Sequence, residues 1–304
     1  FENGELDQYQ PTGDYAIKFE KEAEEGKYQY MVTDYPGTIG LRFNFINGGT
    51  SGLMSNVKIR KAISYSIDRE EMIDAVYGRY NPAYSYVAPA ITFNGSSYRD
   101  QVGEIMEDEY NEYVGDPDKI VALFQEGLDE LGVETPIEDI TLTYLTSGST
   151  TEVQAEREYI QQSLEETLGL TVELSVAGDT SLFIADRNEG NYDFFLGGWY
   201  SDYNDPLDFL YTNYTDAYGM SFGGYSNTDY DALADQLVGE TDMDKRLDIY
   251  KQMEQILLLD DCAFAPIYYA TKQVLLQNWV KDYRTSSFGA SAEFIWTYID
   301  GKNQ

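Results

Sequence analysis

Apolar and polar residues alternate from Thr38 to Asn47, with Leu41, Phe43 and Phe45 on one side, which predicts a half-buried strand. The run SNVKIRKAISYSI then has helical spacing. DREEMIDAVYG predicts a second helix, with Asp68 as N-cap, Glu71 as its capping-box partner and Gly78 as the stop. Residues 80–91, YNPAYSYVAPAI, have the composition of an extended loop. DPDKIVALFQEGLDELG predicts a helix with proline in its first turn and an apolar face of Ile120, Phe124, Leu128 and Leu131.

The clearest periodicity follows. DITLTYLT and LTVELSV alternate as strands, and the segment between them places Val153, Ile160, Leu164 and Leu168 on one helical side, ending at Gly169. Strand, helix, strand with short joints predicts a parallel βαβ unit with a right-handed crossover. A further helix, DTSLFIADRNEG, and the strand YDFFLGGW extend it to βαβαβ. That last strand is apolar on both faces, as expected of a central parallel strand. A Tyr- and Gly-rich loop region is expected over 211–227. Two helices come next, the second striped by Leu247, Tyr250, Met253 and Leu257. The apolar strand AFAPIYYATKQVLL carries Pro266, which points to an edge or a crossing between lobes.

Ligands of parallel α/β sheets bind beyond the carboxyl ends of the strands. There this chain places Trp199, Tyr200, Asp202, Tyr203 and Asn204. Asp205-Pro206 has the composition of a turn and helix start. For Asp202 the pattern leaves turn and ligand contact both open, and Trp199 in isolation fits a core.

Composition narrows the chemistry. Acidic residues outnumber basic ones 54 to 20 in 304 residues, a formal charge of −34, which repels nucleic acids and anionic lipid headgroups. The absence of histidine and the single cysteine, Cys262, exclude histidine-dependent nucleophilic triads, HExxH zinc sites and an internal disulfide. Cys262, beside an apolar run, is expected in the core. No apolar run is long enough to span a membrane. The chain opens at FENGELD rather than at methionine, as a piece of a longer product would, which leaves room for a secretion signal or lipid anchor ahead of it.

Three segments carry a resemblance: VKIRKAISYSIDREEMIDAVYG, RNEGNYDFFLGGWYSDYNDPLDFL, and YSNTDYDALADQL with DKRLDIYKQMEQILLLDDCAFAPIYYA. In order and spacing they resemble the family 5 extracellular solute-binding proteins, the oligopeptide and dipeptide receptors of bacterial ABC importers. The resemblance implies an α/β fold of the type II periplasmic-binding-protein kind, mainly its carboxyl-terminal lobe with remnants of the other. Residues 1–45 would belong to the amino-terminal lobe and crossover, 46–270 to the ligand-binding lobe, and 271–304 to a return segment of the first lobe.

It further implies a monomer, exported and lipid-anchored or periplasmic, without cofactor or catalysis, that takes short peptides and delivers them to a membrane permease. Asp202, three residues after the tryptophan of Gly198-Trp199, matches the family's aspartate for the peptide α-amino group. The main chains at Gly198 and Tyr200 match positions that bond the peptide as a strand. Trp199 and the nearby Tyr200 and Tyr203 would wall the pocket, Asn204 is a further ligand-binding candidate, and Arg187 matches an arginine near the ligand's carboxyl end. A second family arginine is Leu196 here.

Other readings stay open on the residues alone. A carboxylate pair for glycoside hydrolysis requires a separation that sequence does not give. SDYNDPLD is rich in oxygen ligands for calcium but lacks the glycine and distal glutamate of an EF-hand. A same-fold receptor for an oligosaccharide would suit the 28 tyrosines but would have no ammonium for Asp202. Arg60 and Lys61 are expected on a solvated face or paired with local acids. The SGSTTE turn is expected to cap its helix, with carboxylate binding as its alternative.

Overall fold

The computed structural model describes residues 1–218, 223–288 and 292–302. Its centre is a seven-stranded sheet of β1 (Gln8–Tyr9), β2 (Gln29–Phe43), β3 (Asn81–Pro82), β4 (Thr141–Ser147), β5 (Thr171–Ala177), β6 (Phe194–Tyr200) and β7 (Phe264–Leu276). The order is β1-β7-β2-β6-β4-β5, with β3 also paired to β7. Around it lie α1 (Asp14–Glu24), α2 (Val57–Tyr65), α3 (Arg69–Met72), α4 (Pro117–Leu131), α5 (Thr151–Leu168), α6 (Thr180–Glu189), α7 (Pro206–Leu210), α8 (Thr228–Gln236) and α9 (Met243–Gln255).

The βαβαβ run forms as its periodicity predicts. β4 and β5 pair in parallel along their whole lengths, and β6 joins β4 in parallel at Tyr144↔Phe194 and Leu145↔Phe195. The other edge of β6 corrects the all-parallel expectation. It pairs antiparallel with β2 from Gly37↔Tyr200 to Phe43↔Phe194. An apolar strand declares its burial, not the direction of a neighbour more than 150 residues earlier in the chain.

β2 is also more buried than a half-buried strand. Leu41 and Phe43 enter a core with Ile160, Leu164 and Phe124, beneath α2, α4 and α5. Arg42, on the opposite face by strand alternation, is buried too and donates to Asn213 Oδ1 and Tyr86 OH, each at 2.6 Å. That second face packs on α7, α8 and α9 through Phe209, Tyr230, Tyr250 and Phe264.

Helix ends follow their local chemistry. Asp68 accepts from the Glu71 amide, and Gly78 ends the following turn at φ 60°. Thr150 caps α5 through the Val153 amide, the bland role expected of the SGSTTE turn. Of the expected α4 face, Ile120, Phe124 and Leu128 are buried, whereas Leu131, the last residue of the helix, is exposed. The 211–227 region is not all loop. It holds a 3-10 turn at Tyr211–Asn213 and a helix at Thr215–Tyr218, while 219–222 lie outside the described residues.

Arg60 contradicts its expected solvated position. It is buried, stacks on Phe45 at 4.6 Å and donates to the Asp261 and Cys262 carbonyls, while Lys61 pairs with Glu109 at 2.7 Å. Cys262 is buried.

β2 and β7 are the longest strands. They pair from Gln29↔Leu276 to Arg42↔Phe264, with register shifts between Asp34 and Thr38 and between Ile39 and Gly40. Pro266 stands at the second shift, where a missing N–H is tolerated. Beyond the first shift the two strands join other cores, one with Phe19 and Tyr28, the other with Val280 and Tyr283.

Candidate functional site

β6 outruns its parallel neighbour. Past Phe195 no strand among the described residues lies along its outer edge, while its inner edge stays paired with β2 through Tyr200. Ser201 donates its amide to Pro36 O at 2.7 Å, so odd-numbered residues turn their main chain toward β2. Gly198 and Tyr200 therefore present their N–H and C=O groups to the open edge.

Gly198 has a further reason to be glycine. A Cβ there would stand 1.9 Å from the Thr38 carbonyl oxygen. Tyr200 is exposed, and its ring lies 5.6 Å from that of Tyr35. Desolvation pushes its phenol up to about 12.

Beyond the strand, one carboxylate sets the geometry. Asp208, in the first turn of α7 and buried, accepts the Trp199 indole N–H at 2.8 Å and the Asp202 amide at 2.9 Å on the same oxygen. Trp199 is thereby held against the α7–α9 core. The Asp202 side chain is exposed and makes no hydrogen bond or ion pair among the described residues. It is an acceptor with a fixed backbone and a free carboxylate.

The neighbouring polar residues have structural partners. Asp205 caps α7 through the Leu207 amide at 2.8 Å and accepts from Tyr250 OH at 2.9 Å, the turn role expected of it. Asn204 exchanges two hydrogen bonds with Thr92, at 2.8 and 2.7 Å. One side-chain oxygen each of Asn204, Asp205 and Asp208 thus already has a protein donor. Tyr203 is exposed, and its carbonyl accepts from Ser201 Oγ at 2.6 Å.

Arg187 stands apart from these residues. It lies in the last turn of α6, 5.9 Å over the Phe195 ring, about 13 Å along the strand from Trp199. Its Nε is buried without a hydrogen-bond partner among the described residues, and desolvation lowers its guanidinium pKa. The structure thus gathers Gly198, Trp199, Tyr200 and Asp202 with the neighbouring Tyr203, ties Asn204 to another loop, and sets Arg187 at the far end of the open edge.

Asp208 was missed by the sequence reading because an acid in a helix's first turn has an ordinary explanation in the helix dipole. A second group was missed at Glu156 on α5. Tyr77 donates its hydroxyl to this carboxyl, and desolvation, reinforced by Glu152, pushes its pKa up to about 7.

Comparison with known proteins gives the family of the chain. The profile of the bacterial extracellular solute-binding proteins, family 5 Middle, matches residues 1–221. The chain belongs to that family. This family 5 chain is similar to the oligopeptide-binding protein OppA of Bacillus subtilis (strain 168), 30% identical over 234 residues, 75% of this chain and 39% of that protein. It is 29% identical over 249 residues to the dipeptide-binding protein DppE of the same strain, 81% of this chain and 42% of that one. The solved structure of Listeria monocytogenes OppA bound to peptide superposes with a TM-score of 0.75 at 28% identity, over 98% of this chain and 54% of its own. The α/β fold of the type II periplasmic-binding-protein kind is therefore the fold of this family 5 chain. The chain spans about half the length of the relatives it matches. Among the described residues no helix is long and apolar enough to cross a membrane.

Proposed function

We propose that this chain carries the ligand-binding part of the substrate-binding component of an ABC importer, which captures short peptides outside the cell and delivers them to the membrane permease. The observation that carries the reading is the open edge at Gly198 and Tyr200 ending in the unpartnered carboxylate of Asp202. A peptide offers what this edge lacks: alternating N–H and C=O groups for strand addition, and an ammonium at its end. The ammonium–carboxylate contact contributes about 1.5 to 3 kcal/mol once the cleft closes.

In this reading residues 46–270 form the ligand-binding lobe, while 1–45 and 271–304 belong to the opposing lobe and crossover. The intact protein is exported, lipid-anchored or periplasmic, works as a monomer and performs no catalysis. Titration calorimetry of the full-length gene product with trialanine tests it. Asp202→Asn should weaken binding by about tenfold or more with little change in melting temperature. Unchanged affinity sinks the site assignment, and binding of oligosaccharides in place of peptides would favour the same-fold sugar receptor.

A further inference from the structure

Glu156 lies on the face of the sheet opposite the α7–α9 core, where α5 begins and β4 ends. Its neighbour Glu152 is satisfied, taking Arg79 in a bidentate pair at 2.6 and 2.7 Å. Glu156 receives only the neutral hydroxyl of Tyr77, and among the described residues no cation pairs with it.

The walls around it are aromatic. Tyr77, Tyr80 and Tyr268 contact one another ring to ring, at centroid distances of 4.4 to 4.9 Å. From β4, Tyr144 is fully buried and its hydroxyl makes no hydrogen bond among the described residues, with Glu156, Thr146 and Arg157 the polar groups beside it, Arg157 donating to the Gly148 carbonyl. From β6, the Tyr200 phenol is close enough to Glu156 for their charges to interact. A leftover carboxyl, an orphaned buried hydroxyl and an aromatic wall therefore meet beside the open strand edge.

Resting on the peptide reading above, we propose that Glu156 is a specificity-determining residue, pairing with a lysine or arginine side chain of the bound peptide. A peptide strand added along β6 sends alternate side chains to the two faces of the sheet. One set faces α5, as Tyr200 does. A basic side chain there gives Glu156 the cation it lacks and lays its methylenes and charge against the tyrosine rings. Arg79 does not fill this role, because Glu152 already holds it. The strongly negative surface also raises the encounter rate of cationic peptides.

Desolvation is the larger cause of the raised Glu156 pKa, about 7, so near pH 7 part of the population holds the carboxyl proton before binding. An incoming ammonium or guanidinium displaces it. The test is titration calorimetry of the full-length gene product with trialanine and with tripeptides carrying lysine at the second or third position.

One lysine peptide should bind about tenfold tighter than trialanine, and Glu156→Gln should cut that ratio below about twofold. Its binding heat at pH 7 should vary with the buffer's ionisation enthalpy, reporting a proton release that trialanine does not show. Equal affinities for lysine and alanine peptides, or a ratio untouched by Glu156→Gln, would overturn the inference while leaving the peptide reading intact. If Glu156→Gln fails to fold, proton release by the wild-type protein decides, and its absence overturns the inference. If trialanine and the lysine peptides all fail to bind, the peptide reading itself falls.

Discussion

Asp208 accepts the main-chain amide of Asp202 at 2.9 Å, so the residue that presents a free carboxylate is positioned by one that does not. The same Asp208 oxygen anchors the Trp199 indole, which makes Asp208 a positioning residue for both. Asp208→Ala should weaken trialanine binding about tenfold and cost about 1 to 3 kcal/mol of stability through the stranded donors. Asp208→Asn keeps an acceptor oxygen and should restore most of the affinity. Calorimetry and urea titration of both variants check this; equal loss in the two would mean that the carboxylate's charge, not its placement of Asp202, is what matters.

Gly198 tests the strand itself. With the Thr38 carbonyl oxygen 1.9 Å from where a Cβ would sit, Gly198→Ala must push β6 away from β2. A loss of about 2 to 4 kcal/mol is expected, seen as a lowered urea midpoint. A variant as stable as the parent would show that the two strands can separate freely.

How far the sequence carries the structure can be judged from these residues. Periodicity yields β4, α5, β5 and β6 in order, because each buries one regular face or both, whereas α6 forms between them although it buries no residue. It does not yield β2 as the antiparallel neighbour of β6, since nothing local to either strand encodes a partner so distant. Asp205 declares itself as a cap by the proline that follows. Asp208 and Arg60 do not declare themselves: an acid early in a helix and a basic residue within one have surface explanations, and only the fold shows both buried and bonded. Asp202 is visible through its family motif, but its lack of a partner among the described residues is a property of the folded loop alone.

Glu254 on α9 is fully buried, accepts the Tyr86 and Val87 amides and the Tyr98 hydroxyl at 3.0 Å each, and pairs with Arg99. Glu254→Ala leaves a buried guanidinium unpaired and frees the loop around Tyr86. It should cost about 3 to 5 kcal/mol. Lys58→Ala, which removes a surface contact with Glu126 and Glu130, should lower stability far less, because exposed ion pairs contribute little. Denaturant titration of the two variants side by side measures the contrast, and similar losses would contradict it.

The pH dependence of stability isolates Glu156. Its pKa is raised from the ordinary 4.5 to about 7, so the folded state holds this proton more tightly than the unfolded chain does. The resulting stabilisation is full below about 4.5 and is lost as pH rises through about 7. Discounted for its partial exposure, the change is at most about 3 kcal/mol. The stability difference between parent and Glu156→Gln should therefore shift in the variant's favour between pH 5 and pH 8. Parallel curves in urea titrations would refute the raised pKa.

β2 and β7 run unbroken through cores on both sides of their register shift near Asp34 and Thr38. A joint made of two hydrogen-bonded strands resists shear and extension far more than it resists twisting. Bending at such a joint is therefore expected to follow a narrow arc, like a leaf spring rather than a ball joint.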